Sequence, residues 1–236
     1  SLSAQQLATL AWAFAKSGCP SEAFLKDIAS AAAPGVAKGD FNVQDLSNIT
    51  WAFGRLQVKA PKLLKALSKI LPQHLSWGAD GFSPQQLALM AWSLARMGGE
   101  EEVQLLAEAV RWRLAELSPR DLTDVVWALG HAGVKHPEFL AEAGAHASKH
   151  QRDFGTQEML RFLGAFRRAG GDNKVHAEMA SRQQELEYDF PALQLKVKLQ
   201  AETPGQHRHQ RRRVRASALR ESEELGGDPQ RADGGT

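Results

Sequence analysis

The stretch "DLSNITWAFGRL" at residues 45–56 recurs in altered form as "QLATLAWAFAKS" (6–17), "QLALMAWSLARM" (86–97) and "DLTDVVWALGHA" (121–132). A fifth version, "EMLRFLGAFRRA" (158–169), has lost the tryptophan. Aligned on that ring, the units open at Leu2, Phe41, Phe82, Leu117 and Phe154, and Trp12, Trp51, Trp92 and Trp127 each lie ten residues further on. The steps are 39, 41, 35 and 37 residues and average 38. A fixed period between about 20 and 50 residues is the mark of a solenoid or an array, and it outranks local readings.

Each opening has the chemistry of a helix start. The leading Leu or Phe is followed by Ser3, Asn42, Ser83, Ser118 or Gly155, and three residues later by Gln6, Asp45, Gln86, Asp121 or Glu158. At that spacing the first side chain accepts from an orphan N–H while the second reaches back to the cap, and only the first and third units match the full box. Pro84 and Pro119 sit at the first helical position, where a missing N–H costs nothing. The leading apolar residue pairs with Leu7, Leu46, Leu87, Leu122 or Met159 at hydrophobic-staple spacing. A helix of about 14 residues then closes near Gly18, Gly98, Gly133 or Gly170.

A second amphipathic stretch follows each time, clearest in "PKLLKALSKIL" (61–71), "EEVQLLAEAVRWRL" (101–114) and "HPEFLAEAGAHA" (136–147). One helix pair cannot bury its own apolar face, whereas stacked pairs share a continuous core. The predicted fold is therefore all-α: an α-solenoid of about five helix pairs over residues 1–189. A short terminal segment (190–204), to which the sequence assigns no single structure, and a basic then acidic disordered tail (205–236) follow.

With each unit counted from its leading residue as zero, positions 5, 8 and 12 are apolar throughout and form the core stripe. Positions 9 and 13 are small in most units, which suits close helix approach. Position 10, the tryptophan, points roughly opposite the core. It shares a surface row with positions 3, 7 and 14: Gln5–Thr9–Trp12–Lys16, Gln44–Asn48–Trp51–Arg55, Gln85–Leu89–Trp92–Arg96, Arg120–Asp124–Trp127–His131 and Gln157–Arg161–Gly164–Arg168.

A ring beside a cation suits an unpaired nucleic-acid strand, with the base on the ring, the phosphate on the cation, and position 7 free to read base edges. The competing reading makes the tryptophans structural, filling gaps between neighbouring first helices. The candidate RNA-contacting residues are then the polar ones: Thr9, Lys16, Asn48, Arg55, Arg96, Asp124, His131, Arg161 and Arg168. Their own alternative is a solvated helix face.

A 38-residue helical repeat with this cap, tryptophan and base resembles the octotricopeptide repeat family and its FAST-kinase-like and heptatricopeptide relatives. "FNVQDLSNITWAFGRL" and "FSPQQLALMAWSLARMG" carry the likeness best, over residues 2–189. "HPEFL" (136–140), and more faintly "CPSEAFL" (19–25), match a worn form of the family's proline-rich segment. The resemblance implies an organellar factor, in mitochondrion or chloroplast, that binds single-stranded RNA in transcript processing, stability or translation. No C-terminal nuclease-like RAP domain is recognisable, so it does not imply RNA cleavage. The alternative is a solenoid scaffold for protein partners.

The remaining features narrow the field. The chain has 236 residues, 29 Lys and Arg, 27 Asp and Glu, and one cysteine, Cys19, which excludes an intramolecular disulfide. Residues 191–236 hold nine of the basic and six of the acidic residues, leaving 20 and 21 in the body. Any anion-binding surface in the body is therefore a local stripe rather than a global field.

"LQLKVKL" (193–199) alternates like a strand but also keeps repeat spacing with Phe190 and Leu195, as a sixth helix would. "HRHQRRRVRASALR" (207–220), with Arg208, Arg211, Arg212, Arg213 and Arg215, is a phosphate-binding or import arm, or a solvated tail. His146 and His150 have metal-compatible spacing without a further ligand, so no metal is expected. No phosphate loop, nucleophile elbow or carboxylate constellation is present. The expectation is no enzyme, no cofactor, no small-molecule substrate and no membrane span. A first residue of serine points to a fragment or processed chain with repeats missing upstream. With a full first phrase and an atypical last one, apolar surface is expected on the first helix pair and little on the last.

Overall fold

In the computed structural model, which describes residues 2–18, 21–76 and 81–187, every expected unit is a helix pair. The first helices are α1 (Ala4–Ser17), α3 (Val43–Leu56), α5 (Pro84–Met97), α7 (Pro119–Ala132) and α9 (Thr156–Ala169), each of 14 residues. The second helices are α2 (Glu22–Lys38), α4 (Pro61–Ser76), α6 (Glu100–Arg111), α8 (Pro137–Lys149) and α10 (Asn173–Glu187). No strand occurs among the described residues. The segment 193–199 and the candidate tail arginines Arg208, Arg211, Arg212, Arg213 and Arg215 lie outside them.

The helices start where the sequence caps them. Ser3 accepts from the Gln6 N–H at 3.2 Å while Gln6 accepts from the Ser3 N–H at 2.8 Å. Ser83 and Gln86 repeat this at 3.2 and 2.9 Å. Asn42 and Ser118 accept from Asp45 and Asp121 N–H groups only, and at Gly155 the Glu158 carboxylate alone closes half a box at 2.9 Å. Full boxes thus occur where Ser and Gln were paired in sequence.

The first helices end on left-handed Gly18, Gly98, Gly133 and Gly170. The exception is α3, which ends on Gln57 at φ 56° and bears the steric cost, roughly 1 kcal/mol, that a glycine would spare. The second helix of the fourth unit has a different cap: His136 Nδ1 accepts from the Phe139 N–H at 3.4 Å, with Pro137 as the first helical residue. α6 stops at Arg111, short of the stretch expected to 114, and a 3₁₀ turn at Leu114–Glu116 follows. There Arg113 donates to the Phe82 carbonyl at 2.7 Å and pairs with Glu116 at 2.8 Å.

Two layers result. α1, α3, α5, α7 and α9 pack on one another in chain order, and α2, α4, α6 and α8 do the same behind them. This is an α-solenoid. The stripe at positions 5, 8 and 12 lies between the layers, with Leu46, Ile49 and Phe53, or Leu87, Met90 and Leu94, at no more than 1% exposure. Burying such side chains contributes about 1.5–3 kcal/mol each.

The junctions between units use the small positions. A Cβ on Gly54 would lie 2.6 Å from the Ser93 Cα, and one on Gly130 would lie 3.1 Å from the Ala169 nitrogen. The first helices therefore approach closely at these junctions. At the fifth unit, position 13 is the exposed Arg167.

The first pair exposes Leu2 (52%) and Trp12 (36%), and the last pair exposes no large apolar side chain among its described residues through Ser181. That agrees with the expected asymmetry. The exposure of Leu105 on α6 and of Trp112 (78%), the residue just past its end, was not expected from the sequence. No helix among the described residues is long and apolar enough to cross a membrane.

Candidate nucleic-acid interface

The row at positions 3, 7, 10 and 14 runs along the side of each first helix that faces away from the second layer. The tryptophans neither sink into the junctions nor stand free. Trp51, Trp92 and Trp127 are half-buried, and Trp12 is at the edge of exposure. Trp51 and Trp127 rest against the core, and Trp92 approaches Trp127 of the next unit at 6.0 Å between ring centroids.

Each ring carries a base from one turn later. Lys16 lies 4.5 Å from the Trp12 centroid, Arg55 5.4 Å from Trp51, and Arg96 4.8 Å from Trp92. His131 stacks on Trp127 at 4.4 Å and 15°. One face of every ring is occupied by its own cation or imidazole. The aromatic position is thus a support for position 14 rather than an open platform for a base. These bases also sit in the last turn of their helices, where the dipole favours positive charge.

The arginines do something further. Arg55 Nε donates to the Ala15 carbonyl at 3.3 Å, and Arg96 Nε donates to the Gly54 carbonyl at 2.6 Å. Both carbonyls belong to position 13 of the preceding unit. Each guanidinium is held by the ring beneath it and the neighbour's backbone beside it. No described residue hydrogen-bonds or pairs with its terminal nitrogens. Two planar forks, one unit apart, present their outer N–H groups from a fixed orientation. That is the geometry with which Arg meets phosphate oxygens. Partial burial lowers the Arg96 pKa from its ordinary value, yet an arginine stays charged.

Position 14 is not uniformly cationic. Burial, then Arg96 and Arg168, lower the pKa of His131, so its ring is neutral at neutral pH. Arg96 and Arg168, at position 14 of the units on either side in the chain, are thus both near enough to act on His131. At position 7, Thr9 is exposed, and Asn48 accepts from Gln44 at 2.9 Å. Gln86 donates to Gln44 at 3.1 Å, extending an amide ladder to the next unit. Asp124 lies near Arg120 and near Arg161, its counterpart in the fifth unit. The structure thus brings Asn48, Arg55, Arg96, Asp124, His131, Arg161 and Arg168 onto one stripe, with Lys16 and Thr9 at its start.

The amide ladder and the carbonyl clamp are new from the structure. The row showed which residues share a face, but a bond to the preceding unit depends on inter-helix distance. His146 and His150 stack on each other at 4.5 Å, and His150 pairs with Asp153 at 3.3 Å.

Trp51→Ala should lower unfolding free energy by about 2 kcal/mol, less than a fully buried ring would cost because Trp51 is only half-buried. Chemical denaturation measures this. A change confined to ligand affinity would mark the ring as a contact instead. No family model matches the chain, and comparison with curated proteins finds no match.

Proposed function

We propose that this chain binds single-stranded RNA along the stripe of first helices, as an organellar repeat protein acting in the processing, stability or translation of mitochondrial or chloroplast transcripts. The observation that carries the RNA reading is the pair of oriented guanidiniums, Arg55 and Arg96, whose outer nitrogens have no protein partner among the described residues. A repeating cation one unit apart matches a repeating phosphate, and the polar position 7 beside it supplies groups that hydrogen-bond base edges. The organelle rests on the family resemblance alone.

Crosslinking the full chain to cellular RNA, and sequencing the strands retained, tests the reading. Organellar transcripts held at recurrent short sites are the expected result. Recovery of no RNA above a charge-reversed control removes it. The competing scaffold reading has one observation on its side. Leu105 in the middle of α6 and Trp112 just past its end expose apolar surface on the opposite layer.

A further inference from the structure

Asp124 occupies position 7 in the fourth unit, in the middle of the row. It is half-buried, yet its carboxylate makes no hydrogen bond and no ion pair with any described residue. Arg120, one turn earlier on α7, and Arg161, on α9, act on it only from beyond ion-pair distance, while Asp121 opposes them. From α5 the residue at the same position is Leu89, which offers no charge. Burial outweighs both arginines and raises the Asp124 pKa to about 6.

The fold therefore holds a carboxylate that is ionised at neutral pH, half-shielded from water and without a protein donor among the described residues, while neither of its oxygens is sealed from solvent. The shielding weakens its hydration and leaves both oxygens open to an incoming donor. Packing does not require the group, since Leu89 fills the equivalent place in the preceding unit. A donor supplied from outside accounts for it.

Resting on the RNA reading above, we propose that Asp124 is a base-specificity residue that accepts the N1–H and N2–H groups of an unpaired guanine. A carboxylate only accepts hydrogen bonds. Guanine alone presents two adjacent donors on its Watson–Crick edge, and these match the two carboxylate oxygens. Cytosine and adenine place a ring nitrogen acceptor beside their single amino group, and uracil flanks its one N–H with two carbonyls. Each of these sets an acceptor against a carboxylate oxygen. A phosphate is repelled outright, so the strand must turn a base toward this unit. Arg120 and Arg161, both close enough to act on Asp124, take the flanking phosphates.

The pH dependence has a defined sign. The carboxylate form binds guanine, so the preference is full well above pH 6 and fades as pH falls through about 6 and Asp124 takes up a proton. Arg120 and Arg161 keep their charge throughout. His131, further along α7, gains charge in the same acid direction and strengthens phosphate binding generally. The informative readout is therefore base preference, not total affinity.

The experiment selects short randomised RNAs on the full chain at neutral and mildly acid pH, with Asp124→Asn and Asp124→Ala in parallel. Thermal melts should show both variants folded, because the substitutions remove an unpaired charge and no bond. In the wild-type pool at neutral pH, one position is expected to be fixed as guanine. Discrimination at that position should fall about tenfold or more in both variants, with the other positions unchanged. Acid should erode the preference in wild type only. A pool that binds without a guanine position, or one that keeps its guanine in both variants, overturns the assignment while leaving RNA binding intact. Failure of the wild-type chain to retain any RNA overturns the underlying reading instead, and this inference with it.

Discussion

Replacing Gly54 with valine is expected to cost roughly 3 kcal/mol of unfolding free energy and to uncouple the first two units from the rest. The added Cβ alone would sit 2.6 Å from the Ser93 Cα and 2.9 Å from its carbonyl oxygen. Both are backbone atoms of a helix, so no side chain can swing aside to make room. α3 and α5 must separate, and the Arg96 bond to the Gly54 carbonyl separates with them. Denaturant titration measures the loss, and hydrogen exchange should locate it as lowered protection in α3 and α5. Gly164→Ala is the matched control. A Cβ there meets nothing within 4 Å, so the helix should gain about 0.5–1 kcal/mol from alanine's better propensity. Equal behaviour of the two variants would mean that the first helices are not in close contact at Gly54.

The second large effect is on binding. Arg55→Glu with Arg96→Glu should lower affinity for a single-stranded RNA about a hundredfold, because each reversal removes a phosphate partner and adds a repulsion. The log–log salt slope should become shallower by about 0.7 for each phosphate that is no longer neutralised. Each arginine also holds a neighbour's carbonyl, so stability should fall by about 1–3 kcal/mol per site. Circular dichroism should still show a helical protein. Paired lysine substitutions separate the two roles, since lysine keeps the charge but lacks the fork. They should lose stability much as glutamate does while retaining most of the salt-dependent affinity. Unchanged RNA affinity in the glutamate variant would move the function toward protein scaffolding, with α6 the first surface to examine.

Much of this architecture was legible in the residues because it is local. Ser3 with Gln6 and Ser83 with Gln86 can form boxes only with each other, and Gly18, Gly98, Gly133 and Gly170 terminate helices by their own backbone freedom. The period fixed which faces meet. The end of α6 was not legible, because it depends on Arg113 reaching the Phe82 carbonyl 31 residues away. The site divides the same way. That Trp51 and Arg55 share a face follows from their spacing of four. That Arg55 also binds Ala15 depends on how closely α1 approaches α3, which the spacing within one helix does not set. The burial of Asp124 was hidden for a related reason: its surroundings come from α5 and α9 as much as from its own helix.

The carbonyl clamps described above have a mechanical consequence. Arg55 and Arg96 each tie their own helix to the position-13 carbonyl of the unit before. In a repeat array the stability of a unit depends on its junctions with its neighbours. A pull on either guanidinium is therefore transmitted as tension across the junction behind it, and two units bear the load instead of one.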